Sequence, residues 1–210
     1  MPEKSFDSFS FAGHTKPNAR RRSRHPGLVA LALWVACVAC SSPVVKQYQK
    51  DGVQFSYYSN WKIAKDAPVN GKPDIRSIQI EGPSHAVIVL ICEPASSAQS
   101  LEQFAEAVAT RRGAAIENRL SVGGFQTAQV SKGTSNASTG KVAGREREGI
   151  LQEFNIDLLG QQVPHQARFY LLEGTKFRIM IMSQVSNRNA DQTRAGSDLI
   201  LSTLAIEGTP

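Results

Sequence analysis

The chain has 210 residues, 41% of them hydrophobic and 20% charged, with a formal net charge of +6. The basicity suggests a nucleic-acid binder only until it is partitioned. Residues 1–40 hold six basic and two acidic side chains, leaving 18 of the 24 basic and 16 of the 18 acidic residues to the remainder, which is therefore nearly neutral and has no electrostatic footprint for nucleic acid.

Residues 1–19 carry no structural signal. Arg20-Arg21-Arg22-Ser23-Arg24 then precedes thirteen uncharged residues, Leu28 to Cys40, which run into Ser41-Ser42-Pro43. A basic run, a short apolar run and small residues before a cleavage point make a secretory signal. As a helix, the apolar run would span only ~20 Å of a ~30 Å hydrocarbon core, so an uncleaved membrane span is the lesser reading. Val38-Ala39-Cys40 followed by Ser41-Ser42 resembles the lipobox of bacterial lipoproteins. Cys37, where that pattern has a branched apolar residue, is the alternative acceptor. The resemblance implies that residues 1–39 are removed and that Cys40 Sγ carries a diacylglycerol. The chain would then sit on an envelope membrane, facing the periplasm or the outer surface, with membrane lipid as its first partner. Each buried acyl CH₂ contributes ~0.8 kcal/mol, so two or three chains hold a small domain firmly.

Residues 40–50 are read as the lipidated N-terminus and a short tether, and 51–207 as a single α+β domain. Val53-Gln-Phe-Ser-Tyr57 alternates apolar and polar residues, as does Trp61-Lys-Ile-Ala64 after the turn at Ser59-Asn60. Two prolines, a glycine and an asparagine mark 67–74 as a loop. Strands are expected over Ile75–Ile80 and His85–Cys92, the second apolar enough to be covered on both faces. Ser100 and Gln103 form a capping box. Leu101, Phe104, Ala105 and Val108 give the helix behind it one apolar stripe. Arg111 and Arg112 favour its C-terminal dipole, and Gly113 is read as the stop.

The pattern then returns to strands: Ile116–Ser121, Phe125–Lys132, Gly149–Leu159, Gln166–Glu173 and Lys176–Ser183. Gly133 to Gly144 reads as a mobile loop. Turns fall at Gly160-Gln161-Gln162 and Glu173-Gly174-Thr175. Asn187 or Asn189 caps a last helix through about Ser202, and Leu204-Ala-Ile206 closes the chain as a short strand. Strands, a helix, more strands and a terminal helix argue for helices packed on the faces of an antiparallel sheet.

Gly52-Val-Gln-Phe-Ser-Tyr57, then Ser59-Asn60-Trp61-Lys-Ile63, resembles the opening of PsbP-like (Mog-like, DcrB-like) domains, with Tyr58 in place of the usual proline. The Ser100–Ala105 helix start and the ending Ile200–Ile206 extend the likeness to about residues 45–207. It implies an α/β/α sandwich in which Trp61 plugs one end of the core and Phe55 and Tyr57 share a strand face. Members of that family are mostly non-catalytic, which implies binding or helping to assemble a partner protein. It supplies no transferable site residues.

The residues offer little chemistry of their own. Cys92 is the one cysteine beyond Cys40, in an apolar run where a buried, inert thiol is expected. His85 and His165 are isolated, the latter read as a surface imidazole in a hairpin, and no metal-ligand spacing exists. Glu146 and Glu148 alternate with Arg145 and Arg147, which reads as a charge-laced edge strand. The glycine pairs lack a phosphate-cradling context, and Asn136-Ala-Ser138 is a glycosylation sequon that the lipobox disfavours. No catalytic, cofactor or metal residues are assigned. Small-ligand binding between helix and sheet is the second expectation, and a hydrolase using His165 or Cys92 a distant third.

Overall fold

The structure is a computed structural model and describes residues 43–207 except positions 70, 120, 123, 124, 127 and 132; within 114–128 it describes the backbone only. The leader and Cys40 lie outside the described residues.

Among the described residues, thirteen strands and two long helices follow in order. β1 (Val45–Lys50), β2 (Val53–Tyr58), β3 (Lys62–Val69) and β4 (Lys72–Glu81) lead through a 3-10 turn at Pro83–His85 to β5 (Val87–Pro94). Then come α1 (Leu101–Arg119), β6 (Ser121–Val122), β7 (Phe125–Gln126), β8 (Ala128–Val130), β9 (Thr134–Val142) and β10 (Arg145–Leu158). The chain ends with β11 (Gln161–Glu173), β12 (Phe177–Ser186), α2 (Ala190–Thr203) and β13 (Ala205–Ile206). The main sheet runs β3-β4-β5-β12-β11-β10-β8, with β9 beside β8 on the outer flank of β10, and β1-β2-β13 form a small second sheet. Every pairing is antiparallel. The architecture is the expected α+β class.

Alternation along the central strands divides the apolar residues between two cores. Ile78, Ile80, Ile88, Leu90, Ile179 and Ile181 meet Val53 and Phe55 of the small sheet, Trp61 just before β3, Ile200 of α2 and Leu204 just after it. On the opposite face, Phe169, Met180 and Met182 meet Phe104 and Ala105 of α1. Trp61 is only 3% exposed; Gly82 and Gly196 lie against its indole, leaving no room for a Cβ. It plugs the core as expected, and Phe55 and Tyr57 do lie together, with ring centroids 6.1 Å apart.

Several expectations need correction. Residues 45–50 are a strand paired with β2 and not a tether. Residues 67–74 are the β3–β4 hairpin: Pro68 sits on an edge strand and Pro73 at a register shift, two places where no ladder N–H is required. Helix α1 passes Gly113 and continues to Arg119. A mid-helix glycine costs only ~1 kcal/mol and stops a helix when it turns left-handed, and Gly113 shows no positive φ. This also removes the strand expected from Ile116. Thr134–Val142 is a strand, β9, whose residues are mostly exposed; its pairing comes from the backbone, so its sequence need not alternate. With β9 outside it, β10 is not an edge strand, and Glu146 and Glu148 lie opposite Lys141 and Thr139.

The capping box is present: the Ser100 N–H donates to Gln103 Oε1 at 3.0 Å, and the Gln103 N–H donates to Ser100 Oγ at 3.2 Å. Asn189 precedes α2 but makes no side-chain cap. Among the described residues no helix is long and apolar enough to cross a membrane.

Candidate functional site

Helix α1 covers only part of its sheet face. It lies over β10 and β11, where Phe104 meets Phe169 edge-on at 5.9 Å. Among the described residues, nothing covers the strip formed by β4, β5 and β12 beside it. The result is a groove of about 720 Å³ between α1 and the sheet, within the ~300–1,000 Å³ range of ligand pockets. Val87, Val89 and Ile91 project into it from alternate positions of β5, with Met182 beside them and Phe104 and Val108 on the helix side. The expectation that β5 is fully covered on both faces thus fails. Ile88 and Leu90 are wholly buried towards α2, whereas Val87, Val89 and Ile91 are only half-buried.

The charges around the groove are unequal. Glu93, at its edge, is buried but engaged: it accepts a 2.8 Å hydrogen bond from Arg178 Nε and lies 2.8 Å from Nη2. Arg178 also donates to Ser97 Oγ and the Gln99 carbonyl, fixing the segment that leads into α1. Lys72, Arg111 and Arg112 line the groove as well. Among the described residues, no acid pairs with Arg112. Its guanidinium carbon sits 3.9 Å from the centroid of the Phe154 ring, a cation–π contact. Its Nε and Nη2 are buried without a hydrogen-bond partner. Burial lowers its pKa to about 10, so it stays protonated at neutral pH.

His165 shares this cluster. Its ring stacks on Phe154 with centroids 5.6 Å apart, and Nδ1 lies 2.9 Å from the Val163 carbonyl. Since a carbonyl only accepts, Nδ1 carries the proton. Burial, with a smaller contribution from the Arg112 charge, lowers its pKa. His165 is therefore not the surface imidazole expected of a hairpin; it is half-buried within β11. His85 is exposed in the 3-10 turn, away from this cluster. Cys92 is buried as expected, and burial pushes its thiol up to about 12. It faces the α2 core.

A second polar cluster lies where β1 meets the main sheet. Arg76 donates to Asp66 through Nε at 2.6 Å and Nη2 at 2.9 Å, while Tyr48 Oη and Lys50 Nζ reach Asp66 Oδ2 at 2.9 and 2.8 Å. Arg76 also donates to Tyr48 Oη. Its hydrogen bonds hold the Asp66 carboxyl well below the usual range, aided by Lys50 and Tyr48. All its members are mutually satisfied, so it acts as a clamp between β1 and the sheet.

The expected site residues are not brought together: Cys92 and His165 lie on opposite faces of the sheet. The sequence reading missed two things. Arg112 follows Phe104 and Val108 at four-residue intervals, so the apolar stripe itself signals that this arginine is drawn inward. Asp66 and Arg76 carry no comparable signal, because their meeting depends on a hairpin within a stretch read as loop.

No family model matches the chain, and no curated protein matches it. The fold and groove define an α+β domain with a concave, largely apolar face beside α1. Among solved structures it is similar to cyanobacterial PsbP (CyanoP) from Synechocystis sp. PCC 6803, at 16% identity and a TM-score of 0.44, covering 81% of this chain and 97% of that one. A likeness at that level carries no argument about function, and the fold class rests on the strand order above.

Proposed function

We propose that the chain is a non-catalytic binding module of the bacterial cell envelope, anchored by lipid on Cys40, that holds a partner protein or helps to assemble it at the membrane surface. The observation that carries the binding role is the groove beside α1, where a β5 face is left uncovered next to unneutralised cations. The anchor rests on the lipobox-like Val38-Ala39-Cys40, which lies only a few residues before β1. The non-catalytic reading draws support from Cys92, whose thiol is held neutral in a core, and from His165, which stacks on Phe154 on the other face. A second reading, small-ligand binding in the same groove, is favoured by its concavity.

Intact mass of the protein from membranes should equal residues 40–210 plus acyl groups, and Cys40→Ala should move it to the soluble fraction. An unmodified chain of residues 1–210 that stays in the membrane would overturn the anchor. A photo-cross-linking residue at Ala107, on the groove wall, should capture a defined partner that the same residue at Glu148 does not. Identical products from both positions would count against the groove.

A further inference from the structure

The groove's two kinds of lining imply the chemistry of its occupant. On one side Val87, Val89 and Ile91 offer a continuous apolar strip; three alternate residues of a strand span roughly 14 Å. On the other stands Arg112, charged, with Nε and Nη2 buried and without an acceptor among the described residues. Buried donors without partners are costly, and a guanidinium prefers a planar, anionic acceptor. The nearby carboxylate of Glu93 is held by Arg178 and does not compete. Arg111, exposed on the same turn of α1, adds a second cation.

Register orders these features along the strand direction, while across the sheet Phe154 on β10 stands three strands from β5. Arg112 lies on Phe154, which pairs with His165; His165 in turn pairs with Ser186. Ser186 is two residues beyond Gln184, the partner of Val87. The guanidinium, which lines the groove, is therefore level with the start of β5, and the strip runs away from that level towards Ile91. Lys72 lies towards the far end, beyond the Arg76–Cys92 pair.

We propose that this groove binds a single-chain anionic amphiphile, its head on Arg112 and Arg111 and its acyl chain along Val87, Val89 and Ile91. This rests on the second reading above, small-ligand binding in the groove. A free fatty acid and a lysophospholipid share that chemistry. Inorganic anions lack the tail, and neutral lipids lack the negative charge that a guanidinium favours in its acceptor.

The test uses the full chain carrying Cys40→Ala, prepared without detergent, and calorimetric titration with saturated fatty acids from ten to sixteen carbons. Affinity should rise about fourfold per added methylene until the strip is filled. Arg112→Gln should weaken the carboxylates at least tenfold and leave the matching fatty alcohols unchanged. Arg112→Lys should restore part of the loss, and Val89→Glu should weaken acids and alcohols together. Lysophosphatidylglycerol, run in parallel, distinguishes the two sources by which binds more tightly. Thermal unfolding of each variant confirms a native fold. No saturable binding at any chain length would overturn the proposal, as would equal affinity for acids and alcohols, or dependence on Lys72→Gln in place of Arg112→Gln. The binding-module reading fails separately, through the cross-linking result at Ala107.

Discussion

A Cβ on Gly196 would fall on the indole of Trp61, whereas one on Gly113 would meet nothing within 4 Å. Both glycines sit in helices, so their replacement by alanine separates packing from propensity. Gly196→Ala should destabilise the domain by ~1–3 kcal/mol, because neither the buried indole nor α2 can yield freely. Gly113→Ala should stabilise it by up to ~1 kcal/mol, since alanine is the better helix former. Urea titrations of the two variants would show opposite shifts in midpoint. Cys92 gives a second test at this scale. Its thiol is raised to about 12 by burial, so it stays neutral well above the ~8.5 of an exposed thiol. It should resist a thiol reagent at pH 8 in native buffer and react at once in urea. A folded pKa above the unfolded one means its stabilising contribution is complete below about 8.5 and declines as pH rises towards 12.

At the scale of elements, β1 is joined to the main sheet through the Asp66 clamp. Asp66 is bound by Arg76, Lys50 and Tyr48, and its folded pKa is depressed. The stabilisation it contributes is therefore present above the unfolded value of about 3.9 and lost as pH falls through the folded one. Asp66→Asn should lower stability at pH 7 by ~2 kcal/mol, the scale of hydrogen bonds to a charged group. The stability difference from the parent should shrink on acidification. Unfolding midpoints measured from pH 7 to pH 2 check both. A constant difference across that range would mean that the clamp's charge is irrelevant.

For the domain as a whole, the two cores lie on opposite faces of one sheet, and β5, β11 and β12 contribute to both. Neither face can lose its strands without exposing the other. Unfolding of residues 41–210 should therefore be a single transition. Trp61, in the core on the α2 face, is the only tryptophan of that region and reports by fluorescence. Helix content by circular dichroism follows both helices. The two curves should coincide in urea; an earlier loss of helix signal would show α1 leaving its face independently.

Strong local signals were legible from the residues alone. The Ser100–Gln103 capping box, the alternation of β2, the β-branched run of β5 and the terminal helix with its closing strand depend on neighbours in sequence. They sufficed for the α+β class and for the buried state of Cys92, while the place of Trp61 in the core came with the family resemblance. Elements that depend on a partner were not legible. β1 and β9 are strands because β2 and β10 lie beside them, and the β3–β4 hairpin tolerates its prolines because β3 is an edge. The groove belongs to the same category. The sequence by itself determined that α1 has an apolar stripe and β5 an apolar run. Only the tertiary structure decided that the helix covers β10 and β11 and leaves the β5 strip open, with an unpaired Arg112 at its end. The physical reason is that periodicity assigns a side chain to a face, while what covers that face is set by packing between elements distant in sequence.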